Sequence, residues 1–505
     1  MEAVSGFDDF ARAYDKGSPQ ILKRVLVGDL ETPVSAYLKL SASSPAHTFL
    51  LESVEGGAVR GRYSLIGLKP DVIWRSTGDK AEINRDALRD AYSFEPLEGK
   101  PLTNLRALLK ESEIEFGEDM PPMAAGLFGC LGYDMVRQME RLGPPNPDAL
   151  GVPDATLMRP TLMVVFDAVR DEIIVLTPVR PTSFISAKQA WEAAQERLES
   201  VVLALDAPLA QTAPPADHAA IVPPASNTSE ADYLAMVAKA KDYIRAGDIF
   251  QVVLSQRFEI PFTLPAFSLY RALRRINPAP FLCYLDFGTY QVVCSSPEIL
   301  VRVRGGKVTI RPIAGTRPRG KTSAEDKALG EELLADEKER AEHLMLLDLG
   351  RNDVGRVSKI GTVQVTDSFF LERYSQVMHI VSNVEGDLDP RFDALDALAA
   401  GFPAGTVSGA PKVRAMEIID ELEKDKRGLY AGCIGYFGGN GEMDTCIVLR
   451  TAVVKDGRIH VQAGAGIVYD SNPASEQMEC INKAKALFRA AEEAVRFSSA
   501  ARRGQ

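Results

Sequence analysis

A chain of 505 residues, 46% hydrophobic and 25% charged, exceeds the usual size of one core, so two lobes or one large intertwined domain are expected. A net charge of −11 with no Lys/Arg-dense run argues against a nucleic-acid surface, and an anionic substrate would need local cations or a metal. No run approaches the roughly 18 apolar residues of a membrane span, the N-terminal "MEAVSGFDDF" has no apolar targeting core, and the six cysteines show no paired metal-ligand spacing, so no membrane association and a cytoplasmic location are expected.

In the N-terminal part, short strand-like runs ("HTFLLESV", "TLMVVFDAV", "EIIVLTPV") alternate with amphipathic stretches such as 186–204. "GCLGYD" around Cys130 has the outline of an amidotransferase nucleophile elbow, but the following Gln is absent and no His-x-Glu stretch lies downstream, so Cys130 is expected in the core. Residues 205–229, rich in Pro and Ala, read as a linker or long surface excursion. They divide the chain into an N-terminal lobe, 20–204, and a C-terminal region, 230–498. Ser229 and Asp232 predict a capping box opening a helix through about Ala246, with Gly247 as its stop. The strand "FQVVLSQRFEI" follows. Hairpins are expected at Gly305-Gly306, between "ILVRVR" and "KVTIRPI", and at Asp456-Gly457, between "CIVLRTAVV" and "RIHVQAG". Antiparallel hairpins mixed with long helices give an α+β pattern rather than a βαβ repeat.

Two pairs of glutamates at spacing three stand out: Glu339 with Glu342, and Glu476 with Glu479. On a helix, i and i+3 share a face, so each pair projects two carboxylates in one direction. The first pair lies in 323–353, read as one helix with Leu333, Leu334, Ala341, Met345 and Leu349 available for the core. The second follows a helix start with Asn472 as N-cap and Pro473 as first helical residue. Such pairs also occur on solvated helix faces. Two facing pairs would instead build an oxygen-rich cage for a divalent ion that keeps some waters, Mg²⁺ above all.

The strings "PIAGTRPRG" (312–320), "AEHLMLLDLGRNDVGRVS" (341–358), "YSQVMHIVSNVEG" (374–386), "GTVSGAPKVRAMEII" (405–419), "GCIGYF" (432–437), "DTCIVLRTA" (444–452) and "VQAGAGIVYDSNPASEQMECINKAKAL" (461–487) resemble the chorismate-utilising enzymes, most closely the anthranilate synthase large-subunit (component I) family. The similarity runs from about residue 20 to 498. It implies two large, mostly antiparallel β-sheets flanked by helices, with the active site in the cleft between them. Residues 20–204 would then carry tryptophan-binding elements and 230–498 the chorismate-binding catalytic region.

The resemblance assigns Mg²⁺ to Glu342 and Glu479, with Glu339 and Glu476 as nearby or water-mediated partners. Arg450, on the strand "CIVLR", and Lys483 would hold substrate carboxylates. Gly315 and Thr316 of "PIAGT", Tyr430, and the backbone amides of Gly464, Ala465 and Gly466 would complete the substrate site. Glu298 would protonate the departing C4 hydroxyl, His379 would support pyruvate elimination, and Thr406 would orient the substrate. Where water-adding relatives carry a lysine base, this chain has Gln251, and where aminodeoxychorismate synthases carry a lysine nucleophile in "PIAGT", it has Ala314. Ammonia adding at C2 is therefore implied, with a glutamine amidotransferase subunit to supply it. "LLES" (50–53) and "NPAPFLCYL" (277–285) resemble the family's tryptophan-inhibition elements, with Ser53, Pro280, Phe281 and Leu282 lining the pocket. Two alternatives stand beside this reading: aminodeoxychorismate synthase component I, and a tryptophan-binding regulatory protein without catalysis.

Overall fold

A computed structural model describes residues 6–44, 46–55, 59–117, 119–209, 222–374 and 377–499. Among the described residues, 22 strands form one hydrogen-bonded, antiparallel network, folded into two layers that share the long strands Val59–Thr77 and Ala155–Asp167. One layer runs from Gln20–Val27 and Glu172–Val179, through these strands, to Thr48–Glu55, Phe281–Asp286, Gln291–Ser296, Thr451–Lys455, Arg458–Ile467 and Gln251–Pro261. The other leaves Ala155–Asp167 through Gly126–Leu131 to Cys433–Gly438, Met443–Ile447, Ile299–Arg304, Lys307–Ile310 and Val377–Asp387. Both layers thus interleave strands from the N- and C-terminal parts of the chain.

Among the described residues, three large cores follow from the alternation of side chains along these strands, with a small fourth cluster of Leu333, Met378 and Ile380. Between the layers lie Phe49, Phe128, Cys130, Cys283, Cys294, Ile434 and Cys446, and the stacked rings of Phe49 and Phe128 have centroids 4.8 Å apart. Cys130 is fully buried there and its thiol is pushed up to about 12, which suits a packing residue and not a nucleophile. The outward faces are covered by helices, among them Ala266–Ile276 and Pro473–Ser499 on one side and Glu337–Gly355 and Lys412–Leu422 on the other. Among the described residues, no helix is long and apolar enough to cross a membrane.

The local chemistry read from sequence recurs here. The Ser229 side chain accepts from the Asp232 amide, one half of the expected capping box, while the Asp232 carboxylate pairs with Lys424; the helix Glu230–Ala246 stops at Gly247 with φ +85°. At Gly305-Gly306 and Asp456-Gly457 both turn residues have positive φ, as a two-residue hairpin with the native twist demands. Two expectations need correction. Residues 323–353 form two helices, Ser323–Ala335 and Glu337–Gly355, because Asp336 leaves helical geometry and caps the second. The second helix then buries His343, Leu346, Leu347, Gly350 and Val354, while Ala341 is exposed and Met345 and Leu349 are half-buried. "CIVLRTAVV" is likewise broken: Met443–Ile447 and Thr451–Lys455 are separate strands, and Arg450 sits between them at φ +48°. Of the Pro/Ala-rich segment, residues 210–221 lie outside the described residues. Its end, Ala225–Ser226, pairs with Phe258 and Glu259.

Candidate active site

The two glutamate pairs sit at helix starts. The Asp336 carboxylate accepts from the Lys338 and Glu339 amides, which fixes Glu339 in the first turn and Glu342 one turn on. Asn472 Oδ1 accepts from the Ser475 amide at 3.2 Å, and Pro473–Ser499 presents Glu476 and Glu479 in its first two turns. The pairs come together: burial, then repulsion from Glu339 and Glu479, pushes Glu342 up, and burial with repulsion from Glu479 does the same to Glu476. Arg317 pairs with Glu339 at 3.1 Å, and Lys483 pairs with Glu479 at 2.7 Å while donating to the Gly464 carbonyl at 2.9 Å. Glu342 and Glu476 have no ion pair among the described residues. Only Cys283, Cys294 and Cys446, among the described residues, bring three potential ligand atoms within 4.8 Å of one another, so the carboxylate cage is wide. An all-oxygen donor set with uncompensated negative charge and room between its members fits a hard divalent cation that retains waters.

Glu298 follows the strand Gln291–Ser296 and is buried. Burial pushes its carboxyl up to about 8, against the Thr406 hydroxyl, the Ile313 amide and the nearby cations Arg450 and Lys483, all of which favour the ionised form. Thr406 Oγ1 donates to the two carboxyl oxygens at 3.3 and 3.4 Å. Arg450 is brought alongside by the bend that breaks its strand. Its carbonyl accepts from the Ser295 amide, and its guanidinium makes no side-chain hydrogen bond or ion pair among the described residues. Such a cation is held ready for an anion.

His379 lies on Val377–Asp387, with Nδ1 2.8 Å from the Gly315 carbonyl and 3.1 Å from Thr316 Oγ1. A carbonyl only accepts, so Nδ1 carries the proton and Nε2 is left as the base. Burial lowers this histidine to about 4, which keeps it neutral. Gly315 has φ +69°, and a Cβ there would lie 3.1 Å from Glu339 Oε2, so the glycine lets the "PIAGT" segment pass close to the first carboxylate pair.

Gly464, Ala465 and Gly466 lie in the strand Arg458–Ile467. The Ser255 amide donates to Glu423 and the Val253 amide to the Ser408 carbonyl, away from the rungs Ser255↔Gly464 and Val253↔Gly466. Antiparallel alternation therefore directs the Gly464 and Gly466 amides to the unpaired edge, and that of Ala465 into the ladder. A Cβ on Gly464 would meet the Tyr430 hydroxyl at 2.7 Å, and one on Gly466 would meet Gln251 Nε2 at 2.5 Å. Gln251 Oε1 is buried without a hydrogen-bond partner among the described residues.

A buried ion pair, not apparent from sequence, braces these segments. Arg427 is bidentate to Glu423 and donates to the carbonyls of Val407 and Val253, while Glu423 accepts from the Ser255 amide and hydroxyl. Arg427→Met is expected to cost about 3–5 kcal/mol, since it strands a buried carboxylate. Guanidinium denaturation checks this: the single variant should be less stable than the double variant Glu423→Leu with Arg427→Met, and an unshifted midpoint in the single variant would rule out the brace.

The elements matching the inhibitor motifs meet in one layer. Phe281 pairs with Ser53 on one side and Ser296 on the other, two residues before Glu298. Ser53 Oγ donates to the Tyr63 carbonyl at 3.2 Å and packs tightly over Gly61. Pro280 and Phe281 are half-buried beside it. Leu282 alternates to the opposite face, in the helix-covered core, next to Glu52, which is held by Arg274 and Tyr270.

Residues 54–489 match the family model described as chorismate binding enzyme. The chain is 56% identical over 506 aligned positions to anthranilate synthase component 1 of Cereibacter sphaeroides, covering 99% of this chain and 100% of the relative. It superposes with a TM-score of 0.75 on the crystal structure of anthranilate synthase component I from Streptococcus pneumoniae, at 38% identity, covering 92% of this chain and 99% of that one. The fold is also that of the menaquinone-specific isochorismate synthase of Escherichia coli, at a TM-score of 0.70 and 20% identity, with 96% and 99% of the two chains covered. A family match across most of its length, over the same segments that assemble the carboxylate pairs, Glu298 and His379, means that the chain belongs to the chorismate binding enzymes.

Proposed function

We propose that this chain is the chorismate-converting component of an anthranilate synthase, a lyase that turns chorismate and ammonia into anthranilate, pyruvate and water, the first step of tryptophan biosynthesis in the cytoplasm. The names of its full-length relatives support the reaction. The observation that carries it is Glu298, a carboxyl that keeps its proton near neutral pH beside the cations of Arg450 and Lys483. The substrate's carboxylates are received by Arg450, Lys483 and the outward amides of Gly464 and Gly466, with Tyr430 and Thr406 orienting the ring. Glu298 then delivers its proton to the C4 hydroxyl, which leaves as water as ammonia adds at C2. His379, neutral with its free Nε2, serves the loss of the C2 proton as pyruvate departs. Glu342 and Glu479, with Glu339 and Glu476 behind them, would hold Mg²⁺, and a bound ion supplies neutralisation of the ring carboxylate and polarisation of the ring.

Ala314 and Gln251 separate this reaction from its neighbours. Ala314 offers no amine to attack the ring, and Gln251 cannot deprotonate water near neutral pH. The purified chain incubated with chorismate, Mg²⁺ and ammonium at mildly alkaline pH should release anthranilate. Isochorismate or 4-amino-4-deoxychorismate as the product would overturn the proposal.

The relatives are a component 1, and with Cys130 buried and its thiol raised, this chain has no nucleophile for glutamine hydrolysis at that motif. The isolated chain is expected to use ammonium and not glutamine. Glutamine-dependent anthranilate formation by the pure chain would refute the need for an amidotransferase partner.

Tryptophan would bind around Ser53, Pro280 and Phe281 and act at a distance, by favouring one arrangement of the strand that leads to Glu298. Ser53→Phe is expected to weaken tryptophan inhibition by about tenfold, through steric exclusion and one lost hydrogen bond, with uninhibited activity near normal. An unchanged inhibition curve would place the tryptophan site elsewhere.

A further inference from the structure

The sequence spaces Cys283, Cys294 and Cys446 too irregularly for a ligand motif, yet the fold gathers them. Cys283 and Cys294 are directly opposite one another on the hairpin Phe281–Asp286 and Gln291–Ser296. Cys446, on Met443–Ile447, belongs to the other layer and reaches the same point from across the inter-layer core. The three sulfurs lie within 4.8 Å of one another, and the residues are 4%, 0% and 1% exposed. Their surroundings are apolar, including Phe128, Ile434 and Val448.

From this geometry we propose that Cys283, Cys294 and Cys446 form a buried three-sulfur site for a soft monovalent cation, Cu(I), linking the two sheet layers. The ligand set decides the ion. Thiol sulfur is soft and no carboxylate or imidazole joins the group, so hard ions such as Mg²⁺ are excluded. Zn²⁺ would require a fourth ligand, and the set has three. Cu(I) accepts three sulfurs. Its single charge is cancelled when one thiol gives its proton to the medium, forming a copper–thiolate bond with no change in oxidation state, and a neutral centre is what an apolar core tolerates.

Three thiols packed merely as small apolar side chains are the competing explanation. The site lies apart from the carboxylate cage. Cys294 precedes Glu298 by four residues, Cys446 precedes Arg450 by four, and the Cys294 thiol approaches the Leu449 carbonyl at 3.9 Å. Occupancy would therefore tie together the roots of the two segments that carry the general acid and the free guanidinium.

The test uses the reduced full-length chain under anaerobic conditions, titrated into Cu(I) held by excess bicinchoninate. The folded chain should withdraw one equivalent, with a thiolate-to-copper charge-transfer band and a raised melting temperature. Cys294→Ser and Cys446→Ser should each weaken binding by more than about tenfold. Cys433→Ala should retain it, since that thiol lies in the helix-side core. Should a serine variant fail to fold by circular dichroism, Cys283→Ala and Cys446→Ala provide the same comparison. No withdrawal by the folded wild type, uptake only after unfolding in urea, or equal affinity in the folded cluster variants would each overturn the proposal and leave the thiols as packing.

Discussion

Glu298→Gln is expected to reduce turnover by about 10²–10⁴-fold, the range for losing a positioned general acid, while the protein remains folded. Glutamine keeps the shape of the protonated carboxyl and can still meet the Thr406 hydroxyl, but it has no proton to deliver. The pH dependence separates this from a structural effect. In the folded chain the carboxyl is raised from its ordinary range near 4.5 to about 8, chiefly by burial. Between those values the folded state holds a proton that the unfolded chain has released, so this group's contribution to stability falls as pH rises through the window and is fully lost above about 8. The variant lacks this penalty. Its melting temperature should exceed that of the wild type by an amount that grows from pH 5 to pH 8, while wild-type activity declines above about pH 8 as the acid form is depleted. A variant with near-normal turnover, or a stability difference that does not change with pH, would remove Glu298 from the role of acid.

What the sequence made legible was local. Ser229, Gly247 and the two hairpin turns announce themselves because capping and positive-φ chemistry reside in the residues themselves. Asn472-Pro473 marked a helix start for the same reason. The cap at Asp336 is not legible, because an aspartate within a run of good helix formers carries no sign that it will cap a new helix instead of continuing the old one. Arg450 reads as a strand residue because its apolar neighbours favour one, and nothing in its side chain reveals a left-handed backbone. The long-range features were out of reach. Glu423 and Arg427, at spacing four, look like a solvated surface pair, and only the fold shows them buried against Val253 and Val407. The candidate site was legible largely through resemblance: spacing alone marked the glutamate pairs, whereas the tautomer of His379, the outward amides of Gly464 and Gly466 and the raised carboxyl of Glu298 depend on the tertiary surroundings.

Glu342→Gln should abolish metal-dependent turnover, because Glu342 is a half-buried carboxylate with no ion pair among the described residues, and burial and its neighbouring carboxylates outweigh the more distant Lys483 and Lys338. Without metal, burial and repulsion from Glu339 and Glu479 make its charge a cost, so glutamine there should leave the metal-free protein as stable as the wild type or slightly more so at neutral pH. With metal the order reverses. A cation at 100 times its dissociation constant stabilises the folded chain by about 2.7 kcal/mol, and the wild type should show the corresponding rise in melting temperature as Mg²⁺ is added. The variant should need at least about 10²-fold more Mg²⁺, since even outer ligands cost 10–100-fold in affinity or activity. Glu479→Gln should behave similarly with one difference: it also releases Lys483 from its 2.7 Å ion pair, so substrate binding should change along with the metal requirement. Thermal melts and chorismate turnover across a Mg²⁺ titration measure both effects. Identical Mg²⁺ dependence in the wild type and Glu342→Gln would mean that the facing glutamate pairs are not a metal cage.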